Sequence, residues 1–175
     1  MSTQRKRVIS KKVRVILQDN KVTRPPVPVE RIAKALGAQL RFSPLDDELS
    51  GMIYVKEGIP IIGVNALHHP NRQRFTIAHE CGHLVLHKSH ITKEVHVDKA
   101  FQMLMRDSVS SAGVNEIEIE ANLFAAELLM PEPLLTEALG NEAFDIDDEG
   151  AVTSLAKSFK VSPSAMRFRL GNLFA

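Results

Sequence analysis

The sequence predicts an α+β fold in which a small antiparallel sheet comes early and helices come late. Three observations carry this. Short extended runs at Leu40–Phe42, Gly51–Lys56 and Ile59–Asn65 sit together before residue 66. The last two are joined by Glu57-Gly58, which suits a tight hairpin. After residue 70 the apolar residues recur at helical rather than alternating spacing, in long segments bounded by prolines.

The elements follow in order. Arg5 to Gln18 places Val8, Ile9, Val13, Ile16 and Leu17 at helical spacing, and Asp19-Asn20 ends it before the stiff connector Arg24-Pro25-Pro26-Val27-Pro28. Pro28 opens a short helix whose apolar residues Ile32, Ala33, Ala35 and Leu36 stop at Gly37, a common helix-ending residue. Beyond the strands, helices are expected over Pro70–Leu86 and Asn115–Met130, the latter stopped by Pro131. Two shorter helices are expected over Thr153–Phe159 and Pro163–Leu173. The expected organisation is a basic N-terminal helix and linker over 1–24, a main domain over 25–140, and a helical segment over 141–175 packed on that domain.

A chain of 175 residues with 44% hydrophobic and 25% charged content has the balance of one globular domain with a real core. No stretch approaches the roughly 20 apolar residues of a membrane span, and Arg5, Lys6 and Arg7 lead into no signal-peptide core, so a cytoplasmic protein is expected. Cys81 is the single cysteine, which excludes a disulfide framework and a multi-cysteine zinc cluster. Any metal must then be held by histidines and carboxylates. Residues 1–24 carry eight Lys or Arg against Asp19. Lys157, Lys160, Arg167 and Arg169 form a second basic patch, and Glu142, Asp145, Asp147, Asp148 and Glu149 an acidic one. Such runs usually form a solvated face.

His79-Glu80-Cys81-Gly82-His83 carries the chemistry. At about 100° per residue His79 and His83 lie on one helix face, one turn apart, close enough to grip a single ion. Glu80 is placed to act as general base on a water at the open side of that ion. Phe75, Ile77, Ala78 and Leu86 surround the motif with apolar residues, as a helix through the body of a domain requires, and Gly82 is expected to leave room beside the metal. Cys81, about 200° from His79, is read as packing.

A catalytic zinc keeps three protein ligands, so one more is needed. His87 would sit about 12 Å along the axis from His79, too far to share an ion with it. The longer zinc motif fails as well, because Leu86 and Ser89 stand where glycine and histidine are required and His90 misses by one. The following helix supplies carboxylates. There Glu116, Glu120 and Glu127 fall within about 40° of one another and are expected to face solvent, while Glu118 lies opposite them on the apolar side. Glu118 is therefore the expected third ligand. Asn122, one turn later, is placed to hydrogen-bond a ligand histidine and fix its tautomer.

With these residues assembled, the chain resembles the ImmA/IrrE family of metallo-endopeptidases, compact relatives of the thermolysin-like zinc peptidases. The resemblance rests on Leu49-Ser50-Gly51-Met52-Ile53-Tyr54, Ile62-Gly63-Val64-Asn65, the run Arg74 to Leu84 with its trailing His87, and the run Glu118 to Pro131. It implies a zincin-type helical core behind the sheet and one Zn2+ on His79, His83 and Glu118. It also implies an enzyme that makes a site-specific cut in a helix-turn-helix transcriptional repressor and so relieves repression, typically in stress response or mobile-element transfer. Family members often carry leucine where this chain has Cys81. The segment Leu155–Arg167 looks like two helices of a helix-turn-helix, with Ser162 capping and Pro163 opening the second. Few polar side chains remain there to read bases, which favours a repressor-docking or structural role over contact with DNA.

Zinc peptidases use a further donor to stabilise the oxyanion, and Tyr54, His87, His90 and His96 are the candidates. His68 and His69 read as loop residues. The substrate is expected to lie as an extended strand beside Gly51–Lys56 or Ile59–Asn65. The rival reading from another class is an adaptor in which zinc only braces the fold while basic surfaces bind a repressor or DNA. A hydrolase of a small molecule is a third.

Overall fold

The helix that carries the histidines, Pro70–Leu86 (α3), is buried without a break from Phe75 to Leu84, and sheet strands and helices pack on it from several sides. The computed structural model describes residues 1–91, 96–98, 112–140 and 144–173. Ahead of α3 come α1 (Thr3–Asp19), α2 (Val29–Ala35), β1 (Gln39–Ser43), β2 (Gly51–Lys56) and β3 (Ile59–Asn65). After it come α4 (Lys88–Ile91), β4 (His96–Asp98), α5 (Ala112–Leu129), α6 (Glu132–Leu139), α7 (Glu149–Phe159) and α8 (Pro163–Leu173). Among the described residues no helix is long and apolar enough to cross a membrane.

The sheet has the order β1-β3-β2-β4. β2 pairs antiparallel with β3 and β4, as an antiparallel sheet requires, but β1 runs parallel to β3, with Gln39 opposite Ile61 and Ser43 opposite Asn65. The sheet is therefore mixed. The reason lies in the connection, since a chain leaving β1 through residues 44–50 enters β2 first and reaches β3 only after the hairpin. The same order removes Ile59–Asn65 as the expected substrate edge and narrows Gly51–Lys56 to the part beyond its pairing with β4. β3 is flanked on both sides, and β2 is covered by β4 over Gly51–Ile53.

Asn65, fully buried, fastens the 44–50 connection. Its Oδ1 accepts from the Leu45 and Leu67 amides, and its Nδ2 donates to the carbonyls of Leu45, Asp46 and Leu49. Burying a polar side chain is tolerated because every lone pair and hydrogen is used. The connection so held delivers Gly51 against α3. A Cβ at Gly51 would lie 2.4 Å from the Thr76 methyl and 2.7 Å from the Gly63 carbonyl, so only glycine lets the sheet approach this closely.

The helices form around local signals. Ser2 caps α1 by accepting from the Arg5 amide, and His69 caps α3 through Nδ1 to the Asn71 amide, which fits its reading as a loop residue. Gly37, at φ +88°, ends the turn after α2 in the left-handed region open to glycine. Asp148 accepts from the Gly150 and Ala151 amides, so α7 starts four residues earlier than expected, and part of the acidic patch is a helix N-terminus. Glu142 lies outside the described residues. Ser162 caps α8 as expected, accepting from the Ala165 amide. One apolar cluster joins Ile9 and Val13 of α1 with Phe124 and Leu128 of α5, Phe159 of α7 and Met166 and Leu170 of α8.

The C-terminal helices are tied to α3 and α5 by polar contacts as well. Asn71 donates to the Val161 carbonyl, and Arg74 donates to the carbonyls of Lys160 and Val27. Arg169, read from the sequence as part of a basic patch, is buried at 6% exposure. It donates to the Met130 carbonyl at 3.1 Å and lies 3.7 Å from Glu127. Desolvation lowers its pKa, which the nearby carboxylates oppose. A guanidinium used this way bolts α8 to the end of α5 and is withdrawn from any surface.

Candidate metal centre

Among the described residues α3 and α5 form the most closely packed helix pair, and Gly82 makes that possible. A Cβ there would meet Ala121 Cα at 3.0 Å, Ala121 O at 3.2 Å and Phe124 Cβ at 3.3 Å. The glycine thus makes room for α5 rather than for a metal, a correction to the expectation from sequence. Its neighbours in the motif are held in the apolar contact. His79 and His83 are 2% and 1% exposed, and Glu80 is wholly buried. Cys81 is wholly buried too, and burial pushes its thiol pKa strongly upward, the charge of Glu80 adding to this. It is a packing residue, as read.

The close approach brings Glu118 onto the histidines. His79 Nε2 and His83 Nε2 are 3.0 Å apart. Glu118 Oε2 lies 3.2 Å from the first and Oε1 3.4 Å from the second. His79, His83 and Glu118 are the one group of this kind among the described residues whose donor atoms all lie within 4.8 Å of one another. Four donors placed tetrahedrally at the usual zinc distances of about 2.0–2.1 Å would be about 3.3 Å apart, so the observed spacing fits such an ion. Glu118 keeps 29% of its side chain exposed, which gives the cluster an open side.

The outer contacts decide which ring nitrogens carry lone pairs. Asn122 Oδ1 lies 2.9 Å from His79 Nδ1. An amide oxygen only accepts, so Nδ1 carries the hydrogen and Nε2 is left with its lone pair facing the cluster. On His83 the partner is His87, Nδ1 to Nδ1 at 3.3 Å, while His87 Nε2 lies 2.9 Å from Glu120 Oε2. Glu120 is held below its ordinary pKa, chiefly by its hydrogen bond to Arg5, and burial lowers the pKa of His87. An ionised carboxylate only accepts, so His87 donates from Nε2, accepts at Nδ1, and leaves Nε2 of His83 free of hydrogen. Two imidazole lone pairs and a carboxylate converging at these distances repel one another unless a cation lies between them. The donor set therefore fits a metal.

His87 is thus excluded as a ligand, as expected, yet it is no oxyanion donor, since both ring nitrogens are engaged behind His83. The i, i+4 repeat His79, His83, His87 was the signal that could have revealed its supporting place. The glutamate stripe needs a correction as well. Glu116 is exposed as expected, but Glu120 and Glu127 face α1 rather than solvent. Arg5 forks onto both oxygens of Glu120 at 2.6 Å, and Ser10 donates to Glu127 at 2.9 Å. The three do share a stripe, and what covers two of them is a helix whose contacting residues lie 115 and 117 positions away, which periodicity within α5 cannot reveal. Burial raises the pKa of Glu127, partly offset by Ser10 and Arg169. Of the other oxyanion candidates, Tyr54 lies in β2 opposite Ile61, His90 is exposed in α4, and the side chain of His96 lies outside the described residues.

A mixed sheet lying against a helix that bears His-Glu-x-x-His, with a glutamate from a second helix closing the cluster, defines an α+β fold of the zincin type. Residues 33–171 match the model of peptidase family M78, described as the IrrE N-terminal-like domain, and the chain belongs to that family. The radiation response metalloprotease IrrE of Deinococcus radiodurans is 35% identical over 111 residues, which are 63% of this chain and 30% of that protein. The chain therefore spans under a third of that relative's length. A solved structure of a Mycobacterium tuberculosis transcriptional regulator superposes with a TM-score of 0.64 over 97% of this chain and 48% of that one, at 17% identity, a likeness of fold.

Proposed function

We propose that the chain is a zinc-dependent endopeptidase in which His79, His83 and Glu118 hold one Zn2+ and Glu80 is the general base. The observation that supports this best is the convergence of two buried histidine lone pairs and a carboxylate within 3.4 Å. Zinc bound there would polarise a scissile carbonyl and bring the pKa of a water from about 15.7 to about 7. Asn122 and His87 hold the two imidazoles in the tautomer that offers Nε2. Glu80, adjacent to His79 and packed against the start of β2, takes the proton from the attacking water and passes it to the departing amine. A brace for the fold would have no use for a carboxylate at that position, which favours the enzyme over the adaptor.

The substrate in this reading is a helix-turn-helix repressor. The family resemblance supports it, and the burial of Arg169 supports a structural or docking role for α7 and α8 over contact with DNA. The test is to incubate the zinc-loaded protein with the helix-turn-helix repressor encoded beside its gene and to resolve the products by mass. Two fragments from a single internal cut are expected with parent protein and none with Glu80→Gln. An intact repressor with the parent protein, under conditions where zinc is bound stoichiometrically, would reject this substrate.

A further inference from the structure

α1 precedes the residues that match the family, and its Arg5 reaches the metal cluster through two intermediaries. The guanidinium places Nε 2.6 Å from Glu120 Oε1 and Nη2 2.6 Å from Oε2, a two-pronged fork that fixes the plane of the carboxylate. Glu120 Oε2 then meets His87 Nε2 at 2.9 Å, and His87 Nδ1 meets His83 Nδ1 at 3.3 Å. Each link restricts the rotation of the group that follows it. The fork fixes Glu120, Glu120 fixes the ring of His87, and that ring fixes the rotation of the His83 imidazole. Without Arg5 the side chain of Glu120 could turn about its terminal torsion, and the line to His83 would lose its anchor.

We propose that Arg5 is a positioning residue of the metal centre, so that the N-terminal helix α1 sets zinc affinity by orienting His83 through Glu120 and His87. This rests on the reading of His83 as a zinc ligand. α1 has an independent hold on α5, because Ser10 donates to Glu127 at 2.9 Å and Ile9 and Val13 are buried in the core. General docking of α1 can therefore be separated from the Arg5 line. Arg5 itself keeps 39% of its side chain exposed, so replacing it opens no cavity in the core.

The experiment uses the full chain and three readouts: zinc affinity by chelator competition, the ligand-field spectrum of the cobalt-loaded protein, and thermal unfolding of the metal-free protein. Arg5→Gln is expected to weaken zinc by roughly 10–100-fold, as loss of a ligand's outer partner does, and to shift the cobalt bands. Arg5→Lys should recover part of the affinity, since it restores the charge without the fork. Ser10→Ala should leave affinity and spectrum at the parent values even where it lowers the melting temperature. If Arg5→Gln folds poorly, Glu120→Gln gives the same reading, because it keeps the side-chain volume while weakening the link to His87. Parent zinc affinity and cobalt spectrum in a folded Arg5→Gln, or an equal loss in Ser10→Ala, would overturn the proposal. His83→Ala in the same series separates the two failures: retention of full zinc there sinks the metal-site reading itself, whereas its loss beside an unaffected Arg5→Gln sinks only the role of Arg5.

Discussion

Replacing Gly82 with alanine separates the stability of the α3–α5 contact from its service to the metal. The added methyl would lie 3.0 Å from Ala121 Cα and 3.3 Å from Phe124 Cβ. Carbon atoms pack comfortably at about 3.5–4.0 Å, so α5 must retreat by roughly 0.5–1 Å. Overpacking of this kind costs about 1–3 kcal/mol. Alanine returns about 1 kcal/mol of helix propensity, which leaves a net loss of about 0–2 kcal/mol. For a chain of this size that lowers the melting temperature by up to about 8 °C. The metal should feel the change more sharply. Ligand distances tolerate about 0.2 Å, and Glu118 travels with α5 while both histidines stay on α3. Zinc affinity, measured by chelator competition, is therefore expected to fall by roughly 10–100-fold, more than the stability loss would suggest. Gly171→Ala is the control, since a Cβ there meets nothing within 4 Å, and it should raise the melting temperature slightly without affecting zinc. Parent zinc affinity in Gly82→Ala would refute the argument that this glycine sets the distance between Glu118 and the histidines.

Glu80→Gln should bind zinc stoichiometrically and fold as the parent does while losing roughly 10²–10⁴-fold in cleavage rate, and unchanged turnover would remove Glu80 from the mechanism. Glu118→Ala should lose most of the zinc affinity, whereas the exposed Glu116→Ala should keep metal content and alter stability by no more than about 0.5 kcal/mol. Metal analysis of the pair is decisive, because an emptied site in Glu116→Ala would mean the helix phase is wrong. Asn65→Ala should destabilise the protein by about 1–3 kcal/mol in chemical denaturation, since part-buried backbone groups of the 44–50 connection, the Leu45 amide and the Leu49 carbonyl among them, lose their partner. A smaller effect would show that other contacts hold that connection.

Much of the site was legible because it is written in local periodicity. His79, Glu80 and His83 fall within five residues of one helix, and the phase of α5 separates Glu118 from Glu116 and Glu120 with no knowledge of the rest of the fold. What escaped depends on contacts between elements distant in sequence. Glu120 is covered by a residue 115 positions away, and Arg169 by a carbonyl 39 positions away, so both charges read as solvated when taken alone. The parallel β1–β3 pair escaped for the same reason, since alternation within a strand carries no sign of the neighbour's direction. α6 starts at Glu132-Pro133 and ends at Gly140, at φ +66°, but in the sequence alone Pro131 signals the stop of α5 more strongly than the start of another helix. β4 has three residues, too short for any alternation to register.

The central claim is that His79, His83 and Glu118 together hold one zinc ion. A crystal structure of the zinc-loaded protein, with the ion located by anomalous scattering at the zinc edge, tests it most directly. The account predicts a single peak about 2.0–2.1 Å from His79 Nε2 and His83 Nε2 and about 2.0–2.2 Å from a Glu118 oxygen, with a fourth position open to solvent. A zinc ion bound through other residues, or through His79 and His83 with Glu118 turned away, would contradict it.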